Sequence, residues 1–149
     1  MIQQGVGWAK VNTMILLAED EPNDVFFFKR ALKKAHISAE VIAVSDGQVA
    51  IDYLSGKPPY DDRSAHPLPS MIFLDIKMPH ATGIDVLNWL KGQEHLRQIP
   101  CVMISSSEMP RDRESAFATG AIDYIVKPPT MEGLMQGWSK WQGGARATL

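Results

Sequence analysis

Short apolar runs and stretches with helical spacing alternate along this chain. The apolar runs are predicted to be β-strands, because strands buried on both faces of a parallel sheet are almost continuously hydrophobic. They cover residues 14–18, 41–44, 71–74, 99–104 and 122–126. A helix pattern follows each run, which predicts five helices. In most of them apolar residues recur at the spacing of one face of an amphipathic helix, whereas the fourth is marked by Pro110 at its start and Gly120 at its end. These helices begin near Pro22, Gly47, Gly83, Pro110 and Met131, and the fifth is predicted to extend to about residue 142.

This alternation of strand and helix is typical of a doubly wound α/β domain with a parallel sheet. We predict one domain over residues 14–142, with an N-terminal extension at 1–13 and a C-terminal tail at 143–149. The longest irregular segment, residues 57–70, contains four prolines and is predicted to be a surface loop. Right-handed crossovers bring the carboxyl ends of all strands to one edge of the sheet, so residues that follow the strands should meet there.

The composition narrows the possible partners. The chain has 149 residues, of which 45% are hydrophobic and 21% charged, as in an ordinary globular domain. The net charge of −2 gives no electrostatic reason to expect nucleic acid. The single Cys excludes an internal disulfide and a multi-Cys zinc site, and it fits a cytoplasmic location. No apolar run approaches the ~20 residues of a membrane-spanning helix, so no membrane contact is predicted.

Candidate functional side chains follow four of the five predicted strands. Glu19 and Asp20 follow the first strand and Asp75 the third, whereas Ser105 and Lys127 follow the fourth and fifth. Clustered carboxylates repel one another unless a cation joins them. Oxygen ligands without a nearby Cys or His favour a hard divalent ion, and Mg²⁺ keeps coordination positions open for water and phosphate. The sequence therefore predicts a Mg²⁺ site at this edge.

A phosphoryl group would fit beside such an ion. Asp75 lies at the centre of the edge and could be the nucleophile that forms an aspartyl phosphate. Lys127 and the hydroxyl of Ser105 would then contact the phosphoryl oxygens, whose charge must be neutralised during transfer. Each residue alone has a simpler explanation, such as helix capping or an exposed strand end. Their combination at one edge favours the site.

Four motifs at the strand ends carry a resemblance to the receiver domain of two-component response regulators. They are A-E-D-E-P at 18–22, F-L-D-I-K-M-P at 73–79, V-M-I-S-S at 102–106 and G-A-I-D-Y-I-V-K-P at 120–128. The resemblance covers roughly residues 14–142, and the proline-rich loop is similar to that of stand-alone receivers that partner bacterial phytochromes. It implies a flavodoxin-like, five-stranded parallel sheet with strand order 2-1-3-4-5 and five helices.

The resemblance also implies roles for particular residues. Asp75 would be the phosphoacceptor, and Mg²⁺ would be held by Glu19, Asp20, Asp75 and the backbone carbonyl of Lys77.

Three further residues would bind or read out the phosphoryl group. Ser105 would hydrogen-bond it and Lys127 would pair with it, with a cis bond between Lys127 and Pro128. Tyr124 would be the switch residue that turns inward when Ser105 moves.

The function that the resemblance implies is that of a single-domain response regulator. It would take a phosphoryl group from a sensor histidine kinase and signal through phosphorylation-dependent contact with a downstream protein, without being an enzyme for other substrates. One alternative is a Mg²⁺-dependent phosphohydrolase, although such enzymes usually carry an acid where this chain has Lys77. Another is a constitutive adaptor with the receiver fold. Apolar residues on the fifth helix also predict a homodimer through helix 4, strand 5 and helix 5.

Overall fold

Strands and helices alternate as predicted within residues 13–144, which the computed structural model describes. The strands are β1 (Thr13–Ala18), β2 (Ala39–Val44), β3 (Met71–Leu74), β4 (Cys101–Ser105) and β5 (Asp123–Val126). The helices are α1 (Pro22–Lys34), α2 (Gly47–Ser55), α3 (Gly83–Lys91), α4 (Pro110–Thr119) and α5 (Met131–Ser139). None of these helices has the length and apolarity to cross a membrane. The predicted extension (1–13) and tail (143–149) lie outside the described residues, apart from residues 13, 143 and 144.

The five strands form one parallel sheet in the order β2-β1-β3-β4-β5. This confirms the predicted doubly wound sheet and its strand order, 2-1-3-4-5. In the register of β1 and β3, Ala18 lies opposite Leu74, so both strands end at the same level. The amide of Asp75 then donates a hydrogen bond to the Ala18 carbonyl oxygen at 3.1 Å. Glu19 and Asp75, the first residues after the two strands, are thereby brought to the same edge.

Two hydrophobic layers fix the sheet, one on each side. Helices α2, α3 and α4 cover one side, and α1 and α5 cover the other. In β1, Leu16 belongs to the first layer, whereas Ile15 and Leu17 belong to the second. In the second layer, Phe28 of α1 packs edge-on against Phe73 of β3, with ring centroids 4.8 Å apart. Full burial of such side chains contributes roughly 1.5–3 kcal/mol each, so β1 and β3 hold the edge residues in defined places.

The end of α5 differs from the prediction, which extended this helix to residue 142. The regular helix ends earlier and changes to a π-helical turn over Lys140–Gly144. In this turn Trp141 is buried in the second layer, and its Nε1 donates to Asp123 Oδ2 at 2.7 Å. Gly137 makes room for the indole, because a Cβ there would lie 2.1 Å from the ring. The packing of Trp141 therefore accounts for where α5 ends.

The proline-rich loop between α2 and β3 is held by one arginine. The guanidinium of Arg63 donates to the carbonyl oxygens of Tyr53 at 2.9 Å, Leu54 at 2.8 Å and His66 at 3.1 Å. Two of these carbonyls lie in the last turn of α2, where a cation also interacts favourably with the helix dipole. The Tyr53 hydroxyl donates to the Pro67 carbonyl oxygen at 2.7 Å. The loop is on the surface as predicted, but side-chain contacts give it an ordered path.

Replacing Arg63 by Ala is expected to lower the free energy of unfolding by about 2 kcal/mol, because each lost hydrogen bond contributes about 0.5–1.5 kcal/mol. Arg63→Lys should recover only part of this, since one ammonium cannot reproduce the planar donor fork. Urea unfolding followed by circular dichroism measures both changes. Arg97→Ala, at an exposed arginine, is the matched control and should change stability by less than about 0.5 kcal/mol. Equal losses at the two arginines would contradict the role of Arg63.

Candidate functional site

Three carboxylates meet at the carboxyl edge of the sheet. Glu19, Asp20 and Asp75 each offer one oxygen, and these oxygens all lie within 4.8 Å of one another. Glu19 and Asp75 are buried, whereas Asp20 is exposed. Their closeness follows from the register of β1 and β3, which end at the same level. Carboxylate oxygens grouped in this way suit a hard divalent cation such as Mg²⁺.

Lys127 follows β5 directly and reaches these carboxylates. Its Nζ lies 2.6 Å from Glu19 Oε1 and 2.8 Å from Asp75 Oδ2. A third contact, 2.9 Å to Asp24 Oδ2, comes from the first turn of α1. The Lys127 amide donates to the Ser105 carbonyl oxygen at 2.8 Å, which ties this residue to the end of β4. Because the side chain is only 11% exposed, its charge is weakly screened by water.

Asp24 is the one residue in this group that sequence reasoning missed. From the sequence it is expected only to favour the N-terminal end of α1 through its charge. A usable signal nevertheless exists, because Pro22 starts α1 immediately after the edge of the sheet. Helical side chains tilt toward the N-terminus, so a carboxylate in the first turn of α1 is aimed back at that edge.

Within the part of the chain that the structure describes, the negative charges at the edge of the sheet outnumber the positive charges that contact them. Burial raises the pKa of Glu19 to about 7, and hydrogen bonds from Lys127 and the Glu21 amide offset this only in part. Burial by itself would lower the pKa of Lys127, but hydrogen bonds to Asp75, Glu19 and Asp24 outweigh it and raise that pKa. Lys127 is therefore an ammonium ion at neutral pH. Three carboxylates contact this one ammonium, and the carboxylate of Asp20 is a fourth at the same edge. These oxygen ligands therefore fit a divalent cation, which would supply the missing positive charge.

The β3–α3 loop orients the carboxylate of Asp75. The Lys77 amide donates to Asp75 Oδ1 at 3.2 Å, while the other carboxylate oxygen contacts Lys127. The side chain of Lys77 is exposed. Gly83 closes the loop at the start of α3, where a Cβ would lie 2.3 Å from the Asp75 carbonyl oxygen. That the Lys77 carbonyl is a metal ligand stays a prediction.

Ser105 and Tyr124, on the neighbouring strands β4 and β5, are joined through Ser107. Ser105 is buried, and its Oγ accepts a hydrogen bond from the Ser107 amide at 3.0 Å. Tyr124 is also buried, and its hydroxyl donates to the Ser107 carbonyl oxygen at 2.9 Å. The aromatic ring is therefore in the inward orientation. The bond between Lys127 and Pro128 is cis, as expected.

The fold and this site together define a class of protein. Residues 15–138 match the family described as the response regulator receiver domain. The chain belongs to this family, and the resemblance seen in its four strand-end motifs is confirmed. As a member of the family, it acts in phosphorylation-dependent two-component signalling.

Several known response regulators are similar over most of their length. Response regulator RPA3017, in red light signaling of R. palustris, is 30% identical with a TM-score of 0.80, covering 88% of this chain and 94% of that one. The phosphorylated cyanobacterial phytochrome response regulator RcpA is 28% identical with a TM-score of 0.76, covering 90% of this chain and 96% of that one.

Response regulator Rcp1 of Synechocystis sp. is 28% identical over 123 residues, which are 83% of this chain and 82% of Rcp1. A crystal structure of the Mn(2+)-bound form of response regulator Rcp1 has a TM-score of 0.71 and 28% identity. It covers 88% of this chain and 90% of that one. These comparisons confirm the similarity to single-domain phytochrome response regulators, which the proline-rich loop had indicated.

Proposed function

We propose that Asp75 accepts a phosphoryl group from a phosphohistidine of a sensor histidine kinase. The observation that carries this proposal is the 2.8 Å contact between Asp75 Oδ2 and Lys127 Nζ, beside two more carboxylates within 4.8 Å. In the transfer, an Asp75 oxygen would attack the phosphorus and the P–N bond would break. The imidazole would leave with the electron pair and take up a proton. The product would be an aspartyl phosphate.

The ion that we propose for the site is Mg²⁺, held by Glu19, Asp20, Asp75 and the Lys77 carbonyl. All of these donors are oxygens, and the carboxylates outnumber the single ammonium of Lys127. The Mn(2+)-bound form of Rcp1 supports a divalent cation in a related protein. When bound, such an ion supplies positive charge to the oxygens of the phosphoryl group.

Lys127 and Ser105 are the protein groups that we propose to contact the phosphoryl oxygens. The ammonium of Lys127 already lies against Asp75 in a poorly hydrated place, where its charge is most effective. The Oγ of Ser105 accepts from the Ser107 amide, so its own hydrogen remains available for donation. Movement of Ser105 toward the phosphoryl group would then be transmitted to Tyr124 and change the surface that a downstream protein reads.

The chemistry that we propose is confined to the chain's own phosphoryl transfer and dephosphorylation. An aspartyl phosphohydrolase usually uses a second acid two residues after its nucleophile, whereas this chain has the exposed Lys77 there. A constitutive adaptor would bind its partner equally with and without beryllium fluoride, a mimic of the phosphoryl group. We expect binding to depend on it. The cytoplasm remains the predicted compartment.

Self-association through α4, β5 and α5 is a further part of the proposal. Phe117 of α4 and Met135 of α5 are 43% and 52% exposed, which leaves apolar area on these helices. Sedimentation velocity with and without Mg²⁺ and beryllium fluoride should show a dimer that dissociates in Phe117→Ser and Met135→Ser. A monomer at high protein concentration in both conditions would contradict this proposal.

The experiment that tests the proposed function is the uptake of a phosphoryl group from acetyl phosphate, followed by intact-mass spectrometry. With Mg²⁺ present, we expect one phosphoryl group per chain. Removal of divalent ions with EDTA should lower the initial rate at least about tenfold, because the carboxylate cluster then repels the donor. Added NaCl of equal ionic strength controls for screening. Equal rates with and without divalent ions would contradict the metal site.

A further inference from the structure

The loop between β4 and α4 is organised by Ser107, which uses every polar atom it has. Its amide donates to Ser105 Oγ at 3.0 Å, and its carbonyl oxygen accepts from the Tyr124 hydroxyl at 2.9 Å. Its Oγ accepts from the Met109 amide at 3.2 Å and donates to Asp112 Oδ2. Ser107 therefore links the end of β4, the buried tyrosine of β5 and the first turn of α4.

The start of α4 depends on this serine, because the helix has no side-chain cap of its own. Met109 occupies the N-cap position, where its side chain makes no capping hydrogen bond, and Pro110 follows at the first helical position. Asp112 lies in the first turn, where a carboxylate is favoured by the helix dipole. A hydrogen bond to an ionised acceptor is stronger than one between neutral groups. The contact of Asp112 with Ser107 thus fixes the loop relative to α4.

Arg113 adds a second contact of α4, directly with the ring of Tyr124. Its guanidinium carbon lies 4.9 Å from the centroid of the Tyr124 ring, within the range of a cation–π interaction. Arg113 follows Asp112 directly in the helix. The rotation of α4 that brings Asp112 to Ser107 therefore also brings Arg113 over the ring of Tyr124.

We propose that Asp112 is a positioning residue of the switch, which holds Tyr124 inward by fixing the backbone of Ser107. The proposal rests on the function proposed above, because it assumes that Tyr124 reports phosphorylation at Asp75. Loss of the Asp112 carboxylate frees the loop, so the Ser107 carbonyl no longer presents a fixed acceptor to the tyrosine hydroxyl. The inward and outward orientations of Tyr124 then become closer in free energy, and the response to the phosphoryl group changes.

The orientation of Tyr124 can be measured by fluorine NMR of protein that contains 3-fluorotyrosine. The chain has three tyrosines, and Tyr124→Phe identifies the resonance in question. Asp112→Ala and Ser107→Ala should each lower the inward-to-outward ratio about tenfold, as expected for the loss of one charge-assisted hydrogen bond. The double variant should lose no more than Ser107→Ala alone, because Ser107→Ala already removes the contact with Asp112 and, in addition, the hydrogen bond from the Met109 amide. Ser107→Ala keeps the hydrogen bonds of the Ser107 amide and carbonyl, and it replaces Asp112→Ala in the test if that variant unfolds.

Glu114→Ala is the matched control, since it removes a carboxylate from an exposed position of the same helix. An unchanged Tyr124 resonance in Asp112→Ala and Ser107→Ala would overturn the proposal. So would additive losses in the double variant, or an equal change in Glu114→Ala. Phosphoryl uptake by the wild type is measured alongside. Its absence would overturn the function proposed for Asp75, whereas the inward-to-outward ratio tests the contact of Asp112 independently.

Discussion

Asp75→Asn is expected to reduce the rate of phosphoryl uptake to less than about one hundredth of the wild-type rate, because an amide oxygen is a poor nucleophile. Asn has nearly the same shape as Asp and can still accept a hydrogen bond from Lys127. The folded structure should therefore be retained, as far-UV circular dichroism can verify. Initial rates with acetyl phosphate and with a phosphorylated histidine kinase, each in the presence of Mg²⁺, measure the effect.

The matched control for this variant is Asp61→Asn in the proline-rich loop. Asp61 is exposed and lies outside the carboxylate cluster, so its replacement should leave the rate within about twofold of the wild type. If Asp75→Asn takes up one phosphoryl group per chain at a rate similar to that of the control, Asp75 is not the acceptor. The grouping of carboxylates around Lys127 would then need another explanation.

Lys127→Met is expected to lower the rate of phosphoryl uptake about 100-fold, because it removes the ammonium that lies 2.8 Å from Asp75 Oδ2. Methionine keeps much of the aliphatic length but carries no charge. The three carboxylates that share Lys127 would repel one another more strongly in the variant. Mg²⁺ should therefore raise the temperature of thermal unfolding more in Lys127→Met than in the wild type.

Lys91→Met controls for the loss of a lysine, since Lys91 is exposed at the end of α3. Its rate should match that of the wild type. Lys127→Arg keeps the charge but replaces a compact ammonium by a planar fork, so an intermediate loss of about tenfold is expected. A folded Lys127→Met variant that takes up phosphoryl groups within about twofold of the wild-type rate would contradict the role of this residue.

The sheet could be predicted because its apolar runs have sharp ends. For β3, the predicted and observed bounds are both Met71–Leu74, since Ser70 and Asp75 delimit the run. β4 begins at Cys101 rather than at residue 99, because Pro100 has no N–H group and contributes only its carbonyl, which accepts from the Ile72 amide. The end of α5 could not be predicted from the sequence, because it depends on the packing of Trp141 in the π-helical turn.

The carboxylate cluster could be predicted for a similar reason. Glu19, Asp75 and Lys127 directly follow strands of one parallel sheet, so topology alone brings them to the same edge. The contacts of Asp24 and Asp112 depend instead on how α1 and α4 are rotated about their axes, which hydrophobic spacing defines only coarsely. Their charges are visible in the sequence, but their partners are not.

Side-chain contacts within loops were the least predictable part. Three consecutive serines stand at the end of β4, and the first of them, Ser105, is the last residue of the strand. Ser107 links Ser105 to Tyr124, but no periodic pattern in the sequence distinguishes it from Ser106. The same holds for Arg63, whose partners are backbone carbonyls of irregular segments and of a helix end. Such contacts depend on the path of the chain rather than on residue type.

The measurement that tests the central claim most directly is the chemical location of the phosphoryl group. Borohydride reduces an aspartyl phosphate to homoserine, so treatment of the phosphorylated chain marks the acceptor covalently for tandem mass spectrometry. We predict homoserine at residue 75 and at no other aspartate, in an amount that matches the phosphoryl content before reduction. Homoserine at Asp20 or Asp24, or an acid-stable phosphate on Ser105, would contradict the claim.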